Sequence, residues 1–300
     1  MNIRDLKYLV ALSDHQHFGK AAEACFVSQP ALSMQIKKLE TYLGVKLIER
    51  NNKSMLLTVS GIAIVDRARQ ILNQVEELRE IARLATDPLS GELRIGIFPT
   101  LGPYLLPRIM PGLSKKFPKL SLYLIEEQTS VLLEMLKQGK LDAAFIALPL
   151  TGNNFTASPL FEEEFLLATA STHELANQTS IKQHQLNDHQ LLLLDEGHCM
   201  RTQALELCQR VHAAEMQNFR ATSLETLRHM VAAGLGITLM PLLAVQTDNK
   251  AISYIPFASP RPSRTIGLVW RLATAREVLF EKLVERIKEI MHKQKNIKVC

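Results

Sequence analysis

Ser28-Gln29-Pro30-Ala31-Leu32-Ser33-Met34-Gln35-Ile36-Lys37-Lys38-Leu39 is the stretch from which the fold can be built outward. Ser28 is a natural N-cap. Pro30 suits a first helical turn, where a missing N–H leaves nothing unsatisfied. Leu32, Ile36 and Leu39 recur at helical spacing and share one buried face. Gln29, Pro30, Ser33, Met34 and Lys37 are left on the outer face. Upstream, Leu6, Leu9, Val10 and Leu12 mark a first amphipathic helix. A short second helix covers 19–25, with Ala21, Ala22 and Cys25 inward, and breaks at Phe26-Val27. Two short helices with a brief turn between them, the second bearing small and polar outer residues, predict a helix-turn-helix. Downstream, residues 45–50 and 55–58 alternate about the polar turn Asn51-Asn52-Lys53 and predict a β-wing. Lys37, Lys38, Lys46, Arg50 and Lys53 gather positive charge where phosphates would pass. A small helical subdomain with a solvated basic face meets the same pattern.

From Ser60 to Ala85 there is no proline, and Gly61, Ile64, Ala68, Ile71, Val75, Leu78, Ala82 and Ala85 form an a/d seam. Such a helix would be ~39 Å long. Its narrow apolar seam predicts pairing between two subunits, with packing against its own chain as the alternative. Asp87-Pro88-Leu89-Ser90-Gly91 reads as a hinge.

Beyond the hinge, strand-like and helix-like segments take turns: 92–98, 101–117, 120–125, 131–137 and 142–147. A second set follows, with strands at 160–168, 190–194, 219–221, 237–240, 252–256 and 265–270. Its helices begin at Cys199, at Ser223 and at Thr274. This alternation predicts parallel sheet with crossover helices, in two lobes. The domains expected are 1–59 for DNA reading, 60–87 for the linker helix and 88–91 for the hinge. Residues 92–161 with 268–300 form the first lobe and 162–267 the second. Gly234 and Gly236 follow a helix and precede a strand, the reverse of a dinucleotide fingerprint, and read as a cap and turn. His173, His184, His189 and His292 lie in polar contexts and read as solvated.

The chain has 300 residues, a formal charge of +5 and four cysteines. That composition suits a soluble multidomain protein and permits a nucleic-acid partner. It holds no disulfide framework, zinc spacing, catalytic triad, signal peptide or membrane span, so a cytoplasmic protein without cofactor or metal is expected. Two of the cysteines fall in Gly197-His198-Cys199-Met200-Arg201-Thr202-Gln203-Ala204-Leu205-Glu206-Leu207-Cys208, whose part after Cys199 reads as helix. Nine helical positions separate two sulfurs by ~13.5 Å along the axis and turn them to opposite sides. A disulfide needs Cα atoms roughly 4.4–6.8 Å apart. These thiols therefore join only if the helix unravels. One structural and one incidental cysteine is the plainer reading. His198, Arg201 and the helix start place positive charge at Cys199, which favours a thiolate. The apolar run 191–194 places Cys199 at the carboxyl end of a strand, where such folds bind ligands. Cys300 reads as an exposed thiol without a role.

The run Ala21-Ala22-Glu23 … Ser28-Gln29-Pro30-Ala31-Leu32-Ser33 … Gln35-Ile36 … Leu39-Glu40 … Leu43-Gly44 … Leu47-Ile48-Glu49-Arg50 resembles the N-terminal domain of LysR-type transcriptional regulators, without a gap. The resemblance implies that Gln29, Pro30, Ser33, Met34 and Lys37 enter the major groove and that Arg50 on the wing holds backbone. The α/β part resembles the periplasmic-binding-protein-like effector domain of that family. Gly197-His198-Cys199 with Cys208, and the runs 99–107, 220–228 and 264–269, are similar to its hydrogen-peroxide-sensing branch. This implies that Cys199 is the peroxide-reactive thiol and Cys208 the resolving one. Arg264 would stabilise the thiolate, and Thr100, Thr129 and His198 would position peroxide and water. Thr202 departs from the branch, which usually carries an Asp thought to relay a proton there. Threonine can hydrogen-bond but supplies no carboxylate, so it cannot serve as the acid or base of that relay. The implied protein is a redox-responsive activator, not an enzyme. It is a homodimer or homotetramer on roughly palindromic double-stranded DNA, with RNA polymerase as partner. A LysR-type regulator triggered by a small anion between the lobes, and a thiol peroxidase with an appended DNA domain, are the competing readings.

Overall fold

The structure is a computed structural model. It describes the chain except residues 52–53, 85–86, 151–153, 188, 198, 212–213 and 295–296. The side chains of 50, 51, 54, 77, 79–84, 207–211, 214 and 217–218 are likewise outside the described part. The chain forms two units, Met1–Thr86 and Asp87–Cys300.

In the first unit, helix α1 (Ile3–His15) starts at a reciprocal cap. The Asp5 N–H donates to Asn2 Oδ1 at 3.0 Å and the Asn2 N–H to Asp5 Oδ2 at 2.8 Å. Helix α2 (Phe18–Ala24) is capped by the His17 ring, which accepts from the Gly19 and Lys20 amides. Helix α3 (Gln29–Leu43) starts at Ser28 as expected, and the Ser28 hydroxyl accepts from the Ala31 N–H at 3.4 Å. Leu9, Leu12, Ala21, Leu32, Ile36 and Leu39 fill the core between these helices. Cys25 is half-buried against that core, and burial pushes its thiol above the ordinary range. The wing is an antiparallel hairpin of β1 (Ile48–Asn51) and β2 (Ser54–Leu57), with Ile48 opposite Leu57. Removing the Ser28 cap orphans a helix-terminal amide. Ser28→Ala is therefore expected to destabilise the first unit by about 1 kcal/mol, read by chemical denaturation.

Helix α4 (Val59–Leu84) follows. A Cβ on Gly61 would stand 2.1 Å from the Leu47 carbonyl oxygen, so the helix can start against the wing only with glycine there. Val65 and Ala68 are buried in the same unit, and Arg69 pairs with Asp14 of α1 at 2.5 Å. The seam expected to meet a second subunit is thus covered in its first half by its own domain. Farther along, Leu78 is 67% exposed.

The second unit contains β3 (Gly91–Ile97), α5 (Gly102–Lys116), β4 (Leu120–Glu126), α6 (Thr129–Lys137), β5 (Ala143–Leu148) and the long β6 (Phe155–Ala170). Then come β7 (Gln190–Leu194), α7 (Cys199–Val211), β8 (Ala214–Ala221), α8 (Leu224–Ala232), β9 (Thr238–Pro241) and β10 (Ile252–Pro256). The last elements are β11 (Ser263–Arg271), α9 (Glu277–His292) and β12 (Lys298–Val299). The pair β3–β4, the pair β3–β5 and the pair β7–β8 are parallel, as βαβ units require. The sheet is nevertheless mixed: β11 runs antiparallel to β5 and β6, and β6 antiparallel to β9 and β10. The reason is topological. Strand β6 leaves the first lobe and β11 returns to it, so the two must run in opposite directions.

Two cores result. One is built from residues between Leu93 and Phe161 and between Ile266 and Met291, joined by Leu243. The other is built from residues between Phe165 and Phe257. Each lobe turns strand ends toward the other: β3 ends before Thr100, β4 before Gln128, and β7 before the loop to Cys199. No helix among the described residues is long and apolar enough to cross a membrane.

Candidate functional site

The Cys199 loop is produced by β7. Leu191 to Leu194 are all buried, which fixes the strand, and the chain then leaves the core at Asp195. The Asp195 N–H donates to Ala221 O at 2.8 Å, tying the loop to the end of β8. Gly197 adopts φ +87, and a Cβ there would stand 2.2 Å from Gln128 Oε1. The left-handed backbone there favours glycine, and a Cβ would displace the Gln128 side chain from its place against the loop. Gln128 belongs to the first lobe, and its Nε2 donates to Glu196 O at 3.3 Å. The loop is thus seated directly on the opposite lobe.

Helix α7 begins at Cys199, so the sulfur stands in the first helical turn. Met200 and Ala204 bury into the second core, whereas Cys199 packs half-buried against the first. Cys199 is a free thiol and makes no hydrogen bond with a described residue. Arg201 does not turn its charge to Cys199, as the sequence suggested. It pairs with Glu215 at 2.7 and 3.0 Å and donates to Leu194 O at 3.0 Å. Those bonds fasten α7 to both strands beneath it. Thr202 is exposed. Cys208 lies in the same helix, but its side chain, like that of Arg50 and the whole of His198, is outside the described residues.

Across the seam, Thr100 is buried and held by Arg264. Nη1 donates to Thr100 Oγ1 at 3.0 Å and Nη2 to Thr100 O at 3.1 Å. Arg264 is in turn paired at 2.7 Å with Glu163, and both side chains are fully buried. Glu163 also accepts the Leu243 N–H at 2.9 Å. The guanidinium carbon sits 5.3 Å from the Phe98 ring centroid and 5.6 Å from that of Phe165. Arg264 therefore orients Thr100 as half of a neutral pair. No hydrogen bond joins it to Cys199 among the described residues. Thr129 opens α6 beside Gln128, and its hydroxyl oxygen is buried without a partner among the described residues. A buried hydroxyl in that state calls for a small polar guest or water. Farther along the seam the Tyr104 hydroxyl donates to Glu225 at 2.9 Å, and burial together with that carboxylate pushes its pKa well up. Arg228 pairs with the same carboxylate.

Of the expected residues, Thr100 and Arg264 are thus joined directly, the loop before Cys199 is held by Gln128, the sequence neighbour of Thr129, and Thr202 is exposed. The sequence reading missed Glu163, Gln128 and Glu215. Glu163 had a signal, because Phe161, Glu163 and Phe165 share one strand face and a carboxylate between two buried rings demands a cation.

In the first unit, Gln29, Pro30, Met34 and Lys37 are exposed on one side of α3, and Ser33 is half-buried among them. Glu40 fixes the wing against this helix. Its carboxylate accepts the Leu47 N–H at 2.9 Å and pairs with Lys46 at 3.3 Å. A groove lined by Pro30, Ser33, Met34, Lys37, Lys46 and Glu49 runs between helix and wing.

Residues 3–62 match the bacterial regulatory helix-turn-helix protein family of lysR type, and residues 86–291 match the LysR substrate binding domain. The chain therefore belongs to the LysR family of bacterial regulators, as the resemblance implied. It is 49% identical over 293 residues to the DNA-binding transcriptional dual regulator OxyR of Escherichia coli (strain K12), covering 97% of this chain and 96% of that protein. It is 47% identical over 291 residues to the hydrogen peroxide-inducible genes activator of Haemophilus influenzae, covering 96% and 97%. Among solved structures, full-length OxyR C199D from Pseudomonas aeruginosa matches with a TM-score of 0.81 at 39% identity, covering 99% of this chain and 98% of that one.

Proposed function

We propose that this chain is a cytoplasmic transcription activator that senses hydrogen peroxide by reversible pairing of Cys199 with Cys208. The observation that carries this reading is Cys199 itself, an unpaired, half-buried thiol opening the helix that also holds Cys208. Similarity to peroxide-inducible activators supports the choice of signal. The Cys199 thiolate attacks one peroxide oxygen and the O–O bond breaks. Hydroxide leaves and is protonated to water, and the sulfur becomes a sulfenic acid. The Cys208 thiolate then attacks that sulfur, the S–S bond forms, and the sulfenic oxygen leaves as a second water. Thr129, whose hydroxyl has no partner among the described residues, and Thr100, oriented by Arg264, receive the peroxide oxygens, and His198 is assigned the same role from the family resemblance alone. Thr202 offers no carboxylate for the proton, so oxidation is slow relative to a chain with Asp there.

Nine helical positions set the two cysteines ~13.5 Å apart along the axis, so the disulfide requires α7 to unwind. Unwinding withdraws Met200 and Ala204 from the second core and frees the loop that Gln128 holds. The output runs through residues 1–59. Gln29, Pro30, Ser33, Met34 and Lys37 read the major groove and Arg50 holds backbone. The linker helix 60–87 pairs two subunits along its outer half, giving a homodimer or homotetramer on roughly palindromic sites, where the rearranged form engages RNA polymerase.

The test treats the reduced full chain with peroxide, maps its thiols by mass spectrometry and footprints it on promoter DNA. The expected products are a Cys199–Cys208 disulfide and an altered footprint. Cys208→Ser is expected to stop at the sulfenic acid, and Cys199→Ser to respond not at all. A footprint that still shifts in Cys199→Ser would overturn the sensor.

A further inference from the structure

Two of the histidines expected to be solvated are half-buried and face each other. His173 lies in the turn after β6, where its N–H donates to Ala170 O at 3.0 Å. His189 directly precedes β7 and donates its N–H to Leu186 O at 3.1 Å. Their ring centroids are 5.5 Å apart with the planes inclined at 52°. Glu174 stands beside them, with its Oε1 3.7 Å from His189 Nε2. One ligand atom from each residue lies within 4.8 Å of the others.

We propose that His173, Glu174 and His189 bind one divalent transition-metal ion on the second lobe. Bonds of ~2.0–2.2 Å in a tetrahedral shell put ligand atoms roughly 3.3–3.5 Å apart. The His189–Glu174 distance is already close to that value. The other separations, up to 4.8 Å, must also shorten, and Glu174, whose side chain is 75% exposed, can follow an ion more freely than His189, whose side chain is 21% exposed. Two imidazoles and one carboxylate suit zinc, nickel, cobalt, copper or iron, and do not suit magnesium or calcium, which prefer all-oxygen shells. One contact opposes binding. The Leu175 N–H donates to His173 Nδ1 at 3.2 Å, and ligation through either ring nitrogen gives that bond up. The metal either occupies Nδ1 or moves the ring proton onto it.

The bound ion would tie the turn after β6 to the start of β7. Cys199 follows the other end of β7, a strand of five residues or roughly 16 Å, so the ion does not reach the thiol. It acts on the stability of the second lobe.

The test titrates the reduced full chain with Co²⁺, following both absorption and thermal unfolding. Expected are one nitrogen- and oxygen-ligated ion per chain, without thiolate charge-transfer absorption, and a higher Tm. His173→Ala and His189→Ala should each weaken binding at least about tenfold, and Glu174→Gln should weaken it less. His189→Gln, which keeps size and polarity, guards against a folding defect, since its metal-free Tm is expected to match the parent. Unchanged affinity in the histidine variants, strong thiolate absorption at the first equivalent, or no binding would each overturn the site.

Discussion

Glu163→Leu is expected to lower the stability of the unit Asp87–Cys300 by about 3–5 kcal/mol, the scale for stranding one member of a buried ion pair. Glu163 and Arg264 are both fully enclosed, so neither charge has water to fall back on. Leucine would leave the guanidinium without its carboxylate and would also orphan the Leu243 N–H. Two aromatic rings and the two oxygens of Thr100 would remain around the cation. These supply partial charges and cannot neutralise a full one. Glu163→Gln should be milder, because an amide oxygen can still accept from Arg264. The double variant Glu163→Leu/Arg264→Met should recover most of the loss, since removing both charges removes the need for pairing. Chemical denaturation followed by probes within Asp87–Cys300 reads the difference. A loss below about 1 kcal/mol for the single variant would mean that water or another anion reaches Arg264. The pair lies where β6 and β11 pass between lobes, so it also fixes how Thr100 meets the seam.

Local pattern carried most of the fold. Helix α3 starts at Ser28 and buries Leu32, Ile36 and Leu39, because cap chemistry and helical period are both written in consecutive residues. Strands β7 and β10 occupy 190–194 and 252–256, the expected ranges. Runs of apolar residues bounded by polar loops admit little else. What escaped was pairing at a distance. Arg201 was read as a charge for Cys199 because the two are neighbours in sequence, yet Glu215 lies within its reach and offers a bidentate partner. His173 and His189 were read as solvated because their neighbours are polar. Only the return of the chain to the start of β7 brings the rings together. The linker seam shows the same limit. Its period was correct, but period cannot tell a second subunit from α1 of the same chain, which Arg69 finds through Asp14. Gln128 gave no signal at all, because its contact depends on Gly197 from the other lobe leaving room for it.

Glu206→Pro is expected to make the Cys199–Cys208 disulfide easier to form by roughly 100-fold. Glu206 is exposed on α7, so its replacement leaves both cores intact. Proline inside a helix removes a backbone hydrogen bond and clashes with the preceding turn, at a cost of about 3 kcal/mol. That cost falls on the reduced form, which holds α7 as helix. In the disulfide form the segment between the cysteines is a closed loop with no helix to break. The reduced side of the equilibrium therefore rises alone, and the midpoint potential becomes more negative by about 60 mV, given ~30 mV per 1.4 kcal/mol for a two-electron couple. Glu206→Ala keeps the helix and should leave the midpoint within about 15 mV of the parent. Titration against dithiol buffers of defined potential, with alkylation to count free thiols, gives both values. Circular dichroism of the reduced variant should show the lost turns directly. In a footprinting assay the variant should reach the oxidised pattern under milder oxidant. A midpoint unchanged by proline would mean that the two sulfurs meet without unwinding α7. The separation imposed by the helix would then not be what keeps the reduced thiols apart.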